Sequence, residues 1–223
     1  MLKFLQALSP RIEFVIVVTM AFGYFAFVSI FVALHPHAGP LHTNRSLIVL
    51  CVYELVLMAF LFPFLRIRGW TFSKIGLNPT WRDTGRGILL FFAIYAVWEL
   101  VWIATVALAP ETAQRMSETH IITQVIPATT IVANGMINPL FEEIFVCGYV
   151  MTALRKKDHI WFALNASVAI RLLYHLYQGP LGVLSIIPMG LMSGYWYART
   201  GRLWPVIVAH AAMDMLAMLV AGH

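Results

Sequence analysis

Two adjacent glutamates, Glu142 and Glu143, stand inside a run that is otherwise apolar enough to form a membrane helix. A charged side chain at mid-bilayer costs at least ~2.5 kcal/mol on insertion scales. Two neighbouring carboxylates also repel each other. Such a pair therefore indicates chemistry or a dedicated charged partner. The chemistry would be general-base catalysis, because a carboxylate in a mostly apolar cavity is a better base and can activate water.

Two other apolar stretches each carry a pair of polar residues at helical spacing. Arg171 and His175 are four residues apart, as are His210 and Asp214, so each pair shares one helix face. At ~1.5 Å of rise per residue, both pairs and the acidic pair lie about 12–24 Å from the nearest basic helix end. The hydrocarbon core is ~30 Å thick. Three helices would therefore deliver their polar groups to one middle layer, which favours a single buried site.

Three further residues are candidates for lining the same cavity: Glu54, Glu99 and Cys147. For the two glutamates, the structural alternative is a hydrogen bond between helices. Cys147 is also a candidate nucleophile, but the carboxylate of Glu143 one turn away would disfavour its thiolate. Structural roles are open for the other groups too, since a lone buried histidine usually serves packing and a buried arginine often forms an ion pair.

The composition is that of an integral membrane protein. The chain has 223 residues, of which 61% are hydrophobic and 11% charged, and its mean hydropathy is +0.80. Soluble domains carry about 25% charged residues. We therefore predict one all-α domain over residues 1–223, a polytopic membrane helix bundle of about seven or eight helices. The apolar runs that we interpret as spans are roughly 13–34, 46–65, 86–109, 137–154, 160–177, 182–198 and 203–221.

The basic residues between these spans fall almost entirely on one side, among them Lys156 and Lys157. The positive-inside rule then predicts a cytoplasmic N-terminus, in the inner membrane of a prokaryote. With a net charge of +5, we expect contact with anionic lipid and not with nucleic acid. The stretch 119–136 is a re-entrant or interfacial segment, or the first part of one long broken helix. Asn138-Pro139 predicts a break that would place both glutamates in a first helical turn.

The order of these motifs resembles the CPBP family, which contains the CAAX proteases and is also called the Abi family. The resemblance rests on Glu142-Glu143, the stretch from Tyr174 to Gly179, and His210 four residues before Asp214. The motif-bearing half is about 119–221. The resemblance implies an intramembrane endopeptidase that needs no metal or cofactor and acts on a membrane-associated peptide or protein. The catalytic residues it implies are Glu142, Glu143, His175, His210 and Asp214.

The resemblance implies a mechanism in which Glu142 is the general base and His175 holds or activates the water. His210 with position 214 would form the oxyanion site. An ionised Asp214 cannot donate a hydrogen bond. It could instead fix the tautomer of His210, which would leave His210 as the donor.

The sequence departs from the family pattern at two positions. Cys147 stands where the family's first motif has an arginine, and Arg171 stands where the second usually has a phenylalanine. Our hypothesis is that Arg171 balances the charge of the Glu142 and Glu143 pair.

Three other functions remain open at this stage. A member of this family could be a non-catalytic scaffold or regulator. Two histidines with carboxylates could instead bind zinc in a metalloprotease, although the sequence has no His-Glu-x-x-His. A transporter could use the same buried charges for proton coupling, but we find no paired inverted repeat in the sequence.

Overall fold

The computed structural model describes residues 2–35, 42–117, 122, 125–155 and 160–221. Over these residues the fold is all-α, as predicted, and the β-type pairing is a single bridge between His42 and Ile122. Nine helices follow one another in this part of the chain: α1 Leu2–Ala7, α2 Pro10–Leu34, α3 Asn44–Ile67, α4 Trp81–Leu108, α5 Pro110–Ser117, α6 Ala128–Leu154, α7 Ile160–His175, α8 Gly179–Thr200 and α9 Trp204–Ala221.

Seven of these helices correspond to the seven predicted spans, and α1 and α5 are short additions. By length and composition, α2, α3, α4 and α6 are long and apolar enough to cross a membrane. Polar side chains cap the starts of α2, α3 and α4. Ser9, Thr43 and Thr80 each accept a hydrogen bond from the backbone N–H three residues later, so each caps the first turn. Gly201 ends α8 in the left-handed conformation, with φ of 65°.

Helix α6 is the central element of the bundle. Every residue from 141 to 151 is buried, and α2, α3, α7, α8 and α9 all contact this helix. Directly after Glu143 the helix widens into π-helical turns over Ile144–Met151. Such turns rotate the following side chains relative to a regular α-helix and are frequent at functional sites.

The predicted break at Asn138-Pro139 is wrong. Pro139 lies inside α6, and the helix continues through it to Leu154. A proline removes one hydrogen bond from a helix, and the packing of α6 between α3 and α9 supports the uninterrupted helix. Glu142 and Glu143 therefore lie four turns into the helix, beyond the reach of its N-terminal dipole, so they depend on side-chain partners.

The described part of the stretch 119–136 includes the first turns of α6. Residues 128–136 are helical and continuous with the acidic pair, which agrees with the first part of one long helix. The remainder of that stretch, 119–121 and 123–124, lies outside the described residues, as do Lys156 and Lys157.

One end of the bundle is built around Glu13 and Arg68. Glu13 accepts hydrogen bonds from Arg68 Nε at 2.6 Å, Trp70 Nε1 at 2.7 Å and Tyr149 Oη at 3.1 Å. The guanidinium of Arg68 also donates to three backbone carbonyls around α1, those of Leu5, Gln6 and Leu8. The start of the chain, the loop after α3 and the last turns of α6 therefore meet at one end.

The loops at 76 and 201–203 meet at the same end of the bundle. Leu203 N–H donates to Gly76 O at 3.0 Å, and Arg202 pairs with Asp83 at 2.9 Å. Arg68 and Arg202, basic residues from two different connections, therefore lie at this end.

Candidate active site

A cavity of about 840 Å³ lies among α2, α3, α4, α6, α7, α8 and α9. Its wall includes five of the residues singled out from the sequence: Glu54, Glu142, His175, His210 and Asp214. They come from four helices, so the cavity exists only in the folded bundle. Most of the remaining wall is aliphatic or aromatic, which makes these polar groups a localised patch on an apolar surface.

Glu142 presents its carboxylate to this cavity. Its Oε2 accepts a hydrogen bond from Tyr174 Oη at 2.7 Å, and its Oε1 accepts one from Asn138 Nδ2 at 3.2 Å. A carboxylate has about four acceptor positions. Two donors fix the orientation of Glu142 and leave acceptor positions for a water or substrate in the cavity.

Glu143 is turned away from the cavity and is fully buried. Its Oε2 accepts from Arg171 Nη2 at 2.5 Å, and its Oε1 accepts from His210 Nδ1 at 2.7 Å. Both oxygens therefore hold neighbouring side chains in place. The adjacent glutamates thus have different surroundings, since one faces the cavity and the other supports its wall.

Arg171 lies against the acidic pair and against Cys147. Its Nη1 is 3.9 Å from Glu142 Oε2, and its Nη2 is 3.4 Å from Cys147 Sγ. The arginine that the family pattern has at position 147 is replaced here by a guanidinium that reaches the same place from α7. Cys147 itself is fully buried and does not line the cavity, so that expectation is wrong. It lies on the face of α6 that packs against Arg171.

The hydrogen-bonding state of His175 follows from one contact. Its Nδ1 lies 3.0 Å from the backbone oxygen of Arg171. A carbonyl oxygen only accepts, so Nδ1 carries the proton and Nε2 is left as an acceptor. Because His175 lines the cavity, this acceptor is available to a molecule held there.

His210 stands between two carboxylates. Nδ1 donates to Glu143, and Nε2 lies 3.5 Å from Asp214 Oδ1. The sequence had suggested that Asp214 fixes the tautomer of this ring. In the structure Glu143 fixes the tautomer instead, because its contact with His210 Nδ1 is shorter and fully buried. Asp214 is the more exposed of the two carboxylates and borders the cavity beside Nε2.

Glu99 does not line the cavity, which corrects that expectation. It is half-buried on α4 and interacts with Tyr95 on the preceding turn. Its neighbour Trp98 lines the cavity instead. Successive residues in a helix are rotated by about 100°, so these two side chains take different faces. Hydropathy could not separate these faces, because in a membrane both a core face and a lipid face are apolar.

Asn138 and Tyr174, the two donors to Glu142, were not identified as site residues from the sequence. Asn138 lies one turn before Glu142, and that i, i+4 spacing was a readable signal for a shared face. Tyr174 belongs to a stretch that resembles the family, but no spacing rule assigns its hydroxyl to a helix 32 residues away.

A second polar group borders the cavity near His175. His42 Nε2 lies 3.0 Å from Tyr177 Oη, and Gln178 Nε2 donates to the same oxygen at 3.0 Å. All three side chains line the cavity. Burial and the neighbouring His175 lower the pKa of His42 below its usual value.

Within the described ranges, no three His, Cys, Asp or Glu side chains are arranged to hold a metal ion together.

Comparison with known proteins points to one family. The family described as type II CAAX prenyl endopeptidase Rce1-like matches residues 124–216, which contain all the motifs above. A Bacillus subtilis (strain 168) protein named "Putative membrane peptidase YdiL" is 27% identical over 184 residues, which are 82% of this chain and 72% of that protein. No solved structure is significantly similar to the chain. Residues 124–216 of this helical membrane bundle, which carry the ordered motifs, are therefore similar to the CAAX-type membrane peptidases that the sequence resembles.

Proposed function

We propose that this protein is an intramembrane endopeptidase that hydrolyses a peptide bond near the membrane with a water activated by Glu142. One observation carries the proposal. Of two adjacent buried glutamates, Glu142 faces a large cavity, while Glu143 is held behind it by Arg171 and His210. This arrangement supports a working base in a fixed position more than it supports a structural ion pair.

The nucleophile is a water bound between Glu142 and His175. Glu142 has free acceptor positions on the cavity side, and His175 Nε2 accepts a hydrogen bond as well, so the two groups can orient the same water. As the water oxygen attacks the carbonyl carbon, Glu142 takes its proton. A general base in such a position contributes about 10²–10⁴-fold to the rate.

His210 stabilises the oxyanion that forms on the carbonyl oxygen. Its Nδ1 proton is committed to Glu143 at 2.7 Å, so Nε2 is the nitrogen that can donate into the cavity. An imidazole that donates from both nitrogens is an imidazolium, and a cation next to a developing oxyanion is favourable. Asp214 balances this charge from 3.5 Å without itself acting as a donor.

The substrate in this proposal is a membrane-associated peptide or protein. The cavity wall is mostly apolar, and Glu142 lies on α6, which is long and apolar enough to cross a bilayer. We place the protein in the cytoplasmic membrane of a prokaryote with a cytoplasmic N-terminus, because the basic loops gather at one end of the bundle.

The test is a comparison of membrane proteomes from cells with the wild-type protein and cells with Glu142→Gln. We expect an uncleaved precursor to accumulate in the variant. Glu99→Gln is the matched control, since Glu99 is an intramembrane glutamate away from the cavity, and it should process the precursor normally. Identical proteomes, together with an unchanged phenotype, would contradict the proposal and favour a scaffold. Loss of processing with a chelator, reversed by zinc, would favour a metalloprotease.

A further inference from the structure

Glu54 is a buried carboxyl group that the mechanism above does not use. It lies on α3, is 1% exposed and lines the same cavity as Glu142. Its Oε1 accepts a hydrogen bond from Asn138 Nδ2 at 2.6 Å. Among the described residues, its buried Oε2 has no hydrogen-bond partner. A buried polar atom without a partner is costly, so the group calls for an explanation.

One amide connects Glu54 to the proposed base. Asn138 Nδ2 donates to Glu54 Oε1 at 2.6 Å and lies 3.2 Å from Glu142 Oε1. An amide nitrogen carries two hydrogens, one for each carboxyl. The two acids are therefore neighbours across a single side chain, and the protonation of one influences the other.

The surroundings of the two carboxyls are unequal. Glu142 also accepts from Tyr174 Oη at 2.7 Å and lies 3.9 Å from the guanidinium of Arg171. Glu54 has Asn138 as its donor, and the titratable groups that act on it are Glu142, Asp214 and His210. Hydrogen bonds and a nearby cation favour the charged form of an acid, whereas burial disfavours it. Glu54, which has fewer donors and lies away from the guanidinium, is therefore the member of the pair that holds a shared proton.

We propose that Glu54 is a second catalytic residue, the general acid that protonates the leaving amine. The inference rests on the proposed function. After water has added to the carbonyl carbon, Glu142 holds the water proton. The C–N bond then breaks, its electron pair passes to nitrogen, and nitrogen takes the proton from Glu54 Oε2. Transfer of the proton on Glu142 to the Glu54 carboxylate restores both groups, so one peptide bond and one water are consumed.

A purely structural Glu54 would act as a hydrogen-bond acceptor between α3 and α6. Glutamine has the same shape and keeps a carbonyl oxygen for Asn138, so it would serve that role equally well. It cannot deliver a proton. Glu54→Gln therefore separates the two roles, and Glu99→Gln is again the control for loss of an intramembrane glutamate.

The first experiment needs no substrate. Infrared spectra of the purified full-length protein in detergent should show a protonated carboxylic acid band in the wild type that disappears in Glu54→Gln. The band should persist in Glu142→Gln and Glu99→Gln. An identical carboxylic acid band in Glu54→Gln and the wild type would overturn the proposal.

The second experiment measures turnover of the precursor that accumulates with Glu142→Gln. We expect Glu54→Gln to lower kcat about 100-fold or more, the scale of a lost general acid, with KM and the thermal unfolding midpoint nearly unchanged. Wild-type kcat in Glu54→Gln would overturn the role of Glu54 alone. Failure of the purified wild-type protein to cleave this precursor would overturn the proposed function itself, so the two failures are distinguishable.

A pair of further variants tests the same role if Glu54→Gln does not fold. Glu54→Asp and Glu54→Asn have the same size and differ in the acid group. Glu54→Asp should turn the precursor over about 100-fold or more faster than Glu54→Asn. Equal kcat values in these two variants would refute the general-acid role of Glu54.

Discussion

Arg171 Nη2 lies 2.5 Å from Glu143 Oε2, and this contact joins α7 to α6 at a point where neither side chain is more than 1% exposed. The same guanidinium touches Cys147 Sγ at 3.4 Å. The positive charge that the family pattern supplies from the helix of the glutamates thus arrives here from the neighbouring helix. These contacts support the hypothesis that Arg171 supplies the charge that Cys147 lacks, so that the departures at positions 147 and 171 form one exchange.

Arg171→Ala should therefore be harmful to both folding and activity. Removal of one partner from a buried ion pair typically costs about 3–5 kcal/mol, because the remaining charge loses its compensation. We expect a lower thermal unfolding midpoint in detergent and loss of precursor cleavage. Arg82→Ala, at an exposed position on α4, is the control and should change neither.

The exchange itself can be tested by moving the arginine. Arg171→Ala combined with Cys147→Arg should recover stability and cleavage relative to Arg171→Ala, since the charge returns to the acidic pair from α6. Full activity in Arg171→Ala alone would refute the charge-balancing role.

Glu142→Gln and Glu143→Gln should fail in different ways. Glutamine at 142 keeps one oxygen that accepts from Asn138, and its amide N–H can donate to the Tyr174 hydroxyl. We therefore expect a folded protein with cleavage reduced by about 10²-fold or more. Glutamine at 143 leaves Arg171 without its closest carboxylate, so we expect a clearly lower unfolding midpoint as well. Measuring the cleavage rate and the thermal unfolding midpoint of both variants distinguishes loss of the base from loss of the ion pair. Equal stability losses in both variants would contradict the division of roles.

The sequence was informative about helix faces and depth. The i, i+4 spacings put Arg171 with His175 and His210 with Asp214 on common faces, and the count from the basic helix ends put them in one layer. The structure brings these residues together with the acidic pair. Spacing within a helix and rise per residue are local properties, so they can be read without the fold.

The sequence does not determine how each helix is rotated about its own axis. Glu142 and Glu143 are adjacent, and only the packing of α6 decides which of them faces the cavity. The π-helical turns after Glu143 alter the rotation of Cys147, and Glu99 turned out to be on the wrong face of α4. Local preference predicts a break at Pro139, but tertiary packing overrides that preference. Contacts between residues on different helices, such as Tyr174 with Glu142, produce no periodic pattern in the sequence.

A single substitution can separate the roles of the two ring nitrogens of His210. Asparagine can present an amide N–H close to the position of Nδ1 and has nothing at the position of Nε2. His210→Asn should therefore keep the donor to Glu143 and remain folded, yet lower kcat by about 10²–10³-fold, the usual effect of losing one oxyanion donor. His210→Ala removes both contacts and should also lower the unfolding midpoint. Turnover at the wild-type rate in His210→Asn would exclude Nε2 as the oxyanion donor.

His42 should make the stability of the protein sensitive to acid. Burial, aided by the nearby His175, lowers the pKa of His42 in the folded state, and Asp214 opposes this shift more weakly. In the unfolded chain the pKa is about 6.5. As the pH falls from there through the folded-state value, the unfolded chain binds a proton that the folded protein resists, so stability is lost on acidification and is fully present above about pH 6.5.

His42→Gln removes this titration while leaving an amide that can reach Tyr177. The thermal unfolding midpoint of the variant should fall less between neutral and acidic pH than that of the wild type. His35→Gln is the matched control, because His35 is exposed at the end of α2, and its pH profile should follow the wild type. If the profiles of wild type and His42→Gln run parallel below pH 6.5, the titration of His42 is not coupled to folding, and its contact with Tyr177 at 3.0 Å does not depend on a neutral ring.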